Sequence, residues 1–473
     1  MRFRPALIVL GAVLLLLVMT FLPFPASGGK TSFLRPFDLL AGTRVPPPRP
    51  PYFAERIVRA LRIARSLPIT RRPVKIPNVP EAAGQAVVQP IEASSENALD
   101  AFFRAMEDRV RGIGNVRIAY FGDSIVEGDL ITQDLRTSFQ KAFGGSGAGF
   151  LPIASEVAPF RITVSQDFSL NWKTVSILQR RPAAPVGISG FVYLPLNKPA
   201  AEGADPAAAP WVEYKAPAKR SLLKEFRRLR VFYEWAEAPA VLEWTADDRP
   251  PVEIALEPGA GVHEAVIEPD PPAAKLRLVF RSPNTLSVYG ASWEGGDGVQ
   301  VDNFAVRGNS GLPLREIPVD VLRDFDARLR YNLIILHFGT NVASPEMKSY
   351  GWYGQGMIET IRHFREAFPE ASILLVGAGD RSIKEGLDYV TLPGLTDLVE
   401  VQRRAAEKTG SAFFDLFGAM GGTNSMVAWV RHEPPLAALD YTHLSGGGSR
   451  RVAGFLYNAL LARFRAFEDS LDR

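Results

Sequence analysis

The 473-residue sequence predicts an α/β fold built on a parallel sheet, with an all-β module inserted into it and an apolar segment ahead of both. Three observations carry that prediction. Apolar, strand-like runs alternate with helical periodicities over 93–159 and again over 300–473, as in parallel sheets covered on both faces by helices. Over 160–299 the rhythm changes to short alternating segments separated by Pro, Gly and Asp, as in antiparallel sandwiches. The run Ala6–Leu22 is apolar on every face, follows Arg2 and Arg4, and sits at the short end of what spans a bilayer.

The first 28 residues are therefore expected to be a signal peptide or a membrane anchor. Ala26-Ser27-Gly28 supplies small residues for cleavage; uncleaved, the same run keeps its arginines inside. Both readings export the rest of the chain to an extracytoplasmic space. Residues 29–92 are a proline-rich linker, with Val45-PPPRPP-Tyr52 at its centre. Within it, Phe53–Pro68 carries an Arg-lined amphipathic pattern that suits either a membrane surface or packing on the folded part.

The net charge of +3 gives no case for nucleic acid as a partner. Cysteine is absent, which removes disulfides, thiol catalysis and Cys-based zinc sites.

After a helix over about 94–111, Val116–Phe121 reads as a strand, and the run breaks at Gly122-Asp123-Ser124. Ile131, Leu135, Phe139 and Phe143 then recur every four residues, so a helix with one buried stripe follows. A strand turning into a helix through Gly-Asp-Ser lifts the Ser124 hydroxyl out at the carboxyl edge of the sheet, where open α/β sheets keep their sites. Asp123 is expected to order the turn through backbone amides. Gly144–Phe150, rich in glycine, reads as a helix end and a flexible loop, without the Lys-Ser/Thr of a phosphate cradle.

A serine hydroxyl needs a base, an orienting acid and an oxyanion hole before it becomes a nucleophile. Among five histidines, His443 stands three residues after Asp440 in Leu439–Ser445, a spacing that lets the carboxylate hold one imidazole nitrogen and leaves the other for Ser124. Asn341, just past the strand Leu333–Phe338, is placed to donate its amide to an oxyanion, and the turn Gly308–Gly311 offers a backbone N–H. His337 either lines the site or ends its strand. His363 fits a solvated helix face, His263 a solvent-facing strand position, and His432 a loop at the pocket edge. A metal set of His432, Glu433, Asp440 and His443 competes poorly, because Asp440 and His443 already have a use.

Taken together these blocks resemble the SGNH (GDSL-type) hydrolase family: Ser124 the serine block, Gly311 the glycine block, Asn341 the Gly-x-Asn block, and Asp440 with His443 the Asp-x-x-His block. The likeness is greatest to bacterial envelope members that include peptidoglycan O-acetylesterases, through GDSIVEGDLITQDLR and the Gly421-Gly422 segment. Ile125 departs from the Leu or His of many relatives, which bears on the substrate more than on the chemistry.

The resemblance implies a flavodoxin-like parallel sheet sandwiched by helices. It also implies a Ser124–His443–Asp440 triad, an oxyanion hole of Ser124, Gly311 and Asn341, no cofactor or metal, and an acetylated polysaccharide, peptidoglycan first, as substrate. The alternatives are an O-acetyltransferase using the same residues, or a glycan-binding protein that keeps the fold without catalysis. In the inserted module, Trp211, Trp235 and Trp244 either stack on sugars or fill the core. Met426 and Trp429 wall an acyl pocket or are core.

Overall fold

In a computed structural model the described residues are 89–471, except 96, 197–208, 219, 236–238 and 283–285. The expected signal or anchor segment and nearly all of the proline-rich linker lie outside them, and among the described residues no helix is long and apolar enough to cross a membrane.

In chain order the α/β part comprises β1 (Ile91–Ala93), α1 (Asp100–Val110), β2 (Val116–Gly122), α2 (Leu130–Phe143) and β3 (Val299–Ala305). It continues with α3 (Val319–Leu329), β4 (Leu333–His337), α4 (Gly351–Ala367), β5 (Ser372–Val376), α5 (Leu395–Lys408) and β6 (Ala412–Phe414). Two short helices, α6 (Leu416–Met420) and α7 (Ser425–Arg431), precede the long α8 (Gly446–Leu471). The sheet order is β1-β6-β5-β4-β2-β3. Every neighbouring pair is parallel except the antiparallel edge strand β1.

β2 explains why its sequence reads as a nearly unbroken apolar run. Ala119 and Phe121 point into one core, formed with Phe325 of α3, Met357 and Ile361 of α4 and Leu398 of α5. Ile118 and Tyr120 point into the other, with Phe103 of α1, Leu135 and Phe139 of α2 and Leu456 and Leu460 of α8. A strand covered on both faces has no polar side to show.

Between β2 and β3 lie two antiparallel sheets. One has five strands, from Ser165–Phe168 to Val252–Leu256, and the other is built on Arg228–Trp235 and Ser287–Gly295. They share a core in which Trp293 packs on Phe226 at 4.1 Å between ring centroids.

The glycine-rich Gly144–Phe150 stretch is not the expected loop. Ser146–Leu151 is a strand paired antiparallel with Ser287–Gly295. Its glycines are required by close approach: a Cβ on Gly147 would sit 2.3 Å from the Trp293 carbonyl oxygen, and one on Gly149 2.5 Å from Asp302 Oδ1. Missing side chains, in this case, mark crowding. The inserted sheets therefore begin before residue 160, and the expected helix over 94–111 is shorter, starting at Asp100.

The insert is not loosely tethered. Phe150 and Phe232 from its six-stranded sheet pack with Phe325 of α3 at 6.4 and 5.4 Å. Beneath them lies a buried polar network. Asp302 of β3, with no exposed side-chain surface, accepts from Arg117 Nε of β2 at 2.6 Å, Tyr331 Oη at 2.7 Å and the Phe150 N–H at 2.9 Å. Arg117 also reaches Glu294 at 2.7 Å and Ser292 at 2.5 Å in the insert. Removing one partner leaves the other charge buried, at a cost of about 3–5 kcal/mol. Asp302→Ala should therefore lower the urea-unfolding free energy by an amount in that range; a loss under about 1 kcal/mol would show that the network is not needed.

Candidate active site

The site is assembled by four loops at the carboxyl edge of the sheet. After β2, the Asp123 carbonyl accepts the N–H groups of Val126 and Glu127, a tight turn that carries Ser124 half-buried at its crest. Ser124 Oγ donates to His443 Nε2 at 2.9 Å. His443 Nδ1 donates to Asp440 Oδ2 at 2.7 Å, which fixes the tautomer and leaves Nε2 as the acceptor. Asp440 Oδ1 takes the backbone N–H groups of Thr442 and His443, both at 3.0 Å. Burial alone would raise the Asp440 carboxyl, but the hydrogen bonds from His443 and Thr442 outweigh it and hold the group below the ordinary carboxylate range. The side chains of His443 and Asp440 remain open to water, 45% and 50% exposed. Such a chain can deprotonate Ser124 as it attacks a carbonyl carbon and hold the imidazolium that forms.

The structure brings Gly311 and Asn341 to the same place, with a difference from the simple expectation of free donors. Asn341 Nδ2 donates to Asp123 Oδ2 at 3.0 Å and to the Asn309 carbonyl at 3.1 Å. The Gly311 N–H donates to Asn309 Oδ1 at 2.8 Å. Both donors are thus engaged at rest, and an oxyanion would have to share or displace those partners. Gly311 must be glycine: its φ is +89°, and a Cβ there would lie 2.8 Å from the Phe338 ring. Asn309, fully buried, joins the glycine and asparagine loops, a role that the spacing of the Gly308–Gly311 turn does not show.

Asp123 orders its turn as expected, through the Ile125 N–H at 3.0 Å, and also holds Asn341. It is 1% exposed. Burial pushes its carboxyl up to about 6, against the pull of the Ile125 N–H, His443 and the Asn341 amide.

His337 lines the site. It is buried, its Nδ1 meets Tyr120 Oη at 2.9 Å, and desolvation lowers it to about 4, so it is neutral at pH 7. With Ile125, Thr340, Met426, Thr442 and Leu444 it borders a small cavity of about 20 Å³, enough to admit a water molecule, lined by chain neighbours of Ser124 and His443 and by neither of those residues. Met426 is thus both core and pocket wall, whereas Trp429 is core, its Nε1 donating to the Met420 carbonyl at 3.1 Å.

The other histidines lie elsewhere. His363 is half-buried and donates to the Ile317 carbonyl, which corrects its solvated reading. His263 is half-buried against the Tyr233 ring. His432 Nδ1 bonds the Pro434 carbonyl. Among the described residues no group of three or more His, Asp or Glu is placed to hold a metal ion.

A second, larger cleft of about 540 Å³ runs between the insert and the turns that lead to and from Ser124 and Gly308. It starts at the Glu127–Arg307 ion pair, three residues past Ser124 and just ahead of Gly308, and passes Arg161, Thr174 and Phe191. Phe160, 69% exposed, stands on its rim. The tryptophans read as either sugar platforms or core do not line it. Trp211 has the Arg277 guanidinium 3.8 Å above its ring, Trp244 packs on the sandwich core, and the Trp235 side chain is outside the described residues.

Among solved structures, a peptidoglycan O-acetylesterase superposes with a TM-score of 0.63 at 22% identity, over 80% of this chain and 99% of that one. The two chains share a fold. A family two carbohydrate esterase from Cellvibrio japonicus (10% identity, 64% of this chain and 98% of that one, TM-score 0.26) is more distant. So is a salicylyl-acyltransferase from a tetracycline biosynthetic pathway (15% identity, 65% and 96%, TM-score 0.27). No family model and no curated protein sequence matches the chain.

The raised Asp123 makes a prediction about stability. The folded state holds this proton up to about pH 6 while the unfolded chain releases it near 3.8, so wild type loses stability as pH rises between those values. Across pH 4 to 6, Asp123→Asn should gain on wild type by up to about 3 kcal/mol in urea unfolding, with a constant difference from pH 7 to 9. A difference that does not change with pH would contradict the burial argument.

Proposed function

We propose that this protein is an exported serine esterase that removes O-acetyl groups from a cell-envelope polysaccharide, peptidoglycan being the favoured polymer. The observation that carries the reading is the unbroken hydrogen-bonded chain from Ser124 through His443 to Asp440, with a small cavity bordered by Ile125 and Thr442, their neighbours in the chain. The shared fold with a peptidoglycan O-acetylesterase supports the choice of substrate. Export rests on the apolar run Ala6–Leu22, cleaved or kept as an anchor.

In this mechanism Ser124 Oγ attacks the acetyl carbonyl while His443 Nε2 takes its proton. The oxyanion receives the Ser124 and Gly311 N–H groups and the Asn341 amide, with Asn341 exchanging its contact to the Asn309 carbonyl for the new charge. His443 returns the proton to the departing sugar oxygen, leaving acetyl-Ser124 and a free hydroxyl. Water, deprotonated by the same imidazole, then releases acetate. The wide cleft, with Phe160 at its rim, is sized for the glycan strand that carries the ester.

The test is acetate release from O-acetylated peptidoglycan by the protein and by Ser124→Ala. Wild type should release acetate and the variant at least about 10³-fold less, and a small butyrate ester should react about tenfold or more slowly than the acetate. Folded wild-type protein that releases no acetate from any acetylated glycan would overturn the reading. Acetyl transfer that outruns hydrolysis when glycan acceptor is in excess would make the protein a transferase.

A further inference from the structure

The catalytic Asp-His loop is held from outside by a feature with no counterpart in the recognised sequence blocks. Following β5, Ser382–Glu385 and Asp388–Thr391 form an antiparallel hairpin, with Ser382 opposite Thr391. Its root is pinned. Buried Asp380 accepts from Thr391 Oγ1 at 2.8 Å and from the Met426 N–H at 2.7 Å. Asn424 Oδ1 accepts the Thr391 N–H at 3.0 Å. From this root Arg381 Nη1 reaches the carbonyls of Thr340 and Ala343 at 3.2 and 3.1 Å, on either side of Asn341 in the chain.

The hairpin also grips the triad loop. The Ser382 N–H donates to the Tyr441 carbonyl at 3.0 Å, and the Tyr389 ring lies flat on the Tyr441 ring, centroids 3.6 Å apart and planes 7° from parallel. Tyr441 sits between Asp440 and His443 and holds a φ of +55°, a left-handed conformation that a bulky side chain disfavours and that persists only when its surroundings fix it. Within the loop, Asp440 Oδ1 closes a turn over Tyr441 through the Thr442 and His443 N–H groups, and the Tyr441 N–H donates to the Ala438 carbonyl. From outside the loop, the Ser382 N–H and the Tyr389 ring hold the other sides of Tyr441.

We propose that Tyr389 is a positioning residue: acting through Tyr441, it holds the loop in the one conformation that presents His443 Nε2 to Ser124. The proposal rests on the reading of Ser124 as the nucleophile. Its test therefore uses a reaction that needs only an activated serine and no glycan, the phosphonylation of Ser124 by a small fluorophosphonate followed on the full chain.

Tyr389→Ala should lower the maximal inactivation rate at least about tenfold with the half-saturating reagent concentration unchanged, as expected when a base is misplaced but access is not. Tyr389→Phe keeps the flat ring and should react within about twofold of wild type. Tyr389→Leu, which fills the space without a flat face, should behave like Ala and guards against a variant that fails to fold. Melting temperatures within a few degrees of wild type separate misplacement from unfolding.

Wild-type reactivity in Tyr389→Ala, or a Phe variant as impaired as Ala, would overturn the proposal. An unreactive wild type would instead overturn the assignment of Ser124.

Discussion

The arrangement depends first on the buried pair of Arg117 and Asp302. The serine strand β2 carries one charged residue in an apolar run, and that residue is fully committed beneath the sheet. Through it β2 is tied to β3, to Ser146–Leu151 and to the insert by Ser292 and Glu294, so the strand that presents Ser124 cannot shift without breaking contacts on both sides. Asp129 repeats the device at the start of α2. Burial would raise its carboxyl, but Arg136 and Arg161 outweigh that and hold it far below the usual range, while Thr163 of the insert donates to it at 2.7 Å. Two buried carboxylates thus join the insert to the elements on either side of the catalytic turn, and the insert becomes a wall of the cleft instead of an appendage.

Upon this rigid base the reactive groups stand on loops, and each loop is held by another. Asp123 holds Asn341, Asn309 joins the Gly311 turn to the Asn341 loop, Arg381 at the root of the 382–391 hairpin reaches the Asn341 loop, and the hairpin itself reaches the Asp440 loop. The Ser124–His443–Asp440 chain is itself half open to water. Precision then has to come from the network behind the triad more than from burial around it.

Much of this was legible in the sequence. β2, β4, α2 and α5 carry unambiguous periodicities, and Ser124, Gly311, Asn341, Asp440 and His443 do meet at one sheet edge. What was not legible has physical reasons. Ser146–Leu151 looked like a loop because its glycines, needed for close approach to Trp293 and Asp302, remove the alternation that marks a strand. His363 looked solvated because its helix is charged, yet its ring bridges to the Ile317 carbonyl. The Tyr389–Tyr441 contact joins residues 52 positions apart in two polar loops, and no local pattern announces it. Asn309 was invisible as a linker because its value lies in where its side chain points.

The most direct measurement is to stop the reaction with a small acetate ester within the first turnover and locate the acetyl group by mass spectrometry of the digested protein. The account predicts an acetyl group on Ser124, formed in a burst of one equivalent per active protein and absent when His443 is replaced by Ala. Steady release of acetate with no acetyl group on Ser124, or with the group on another residue, would contradict it.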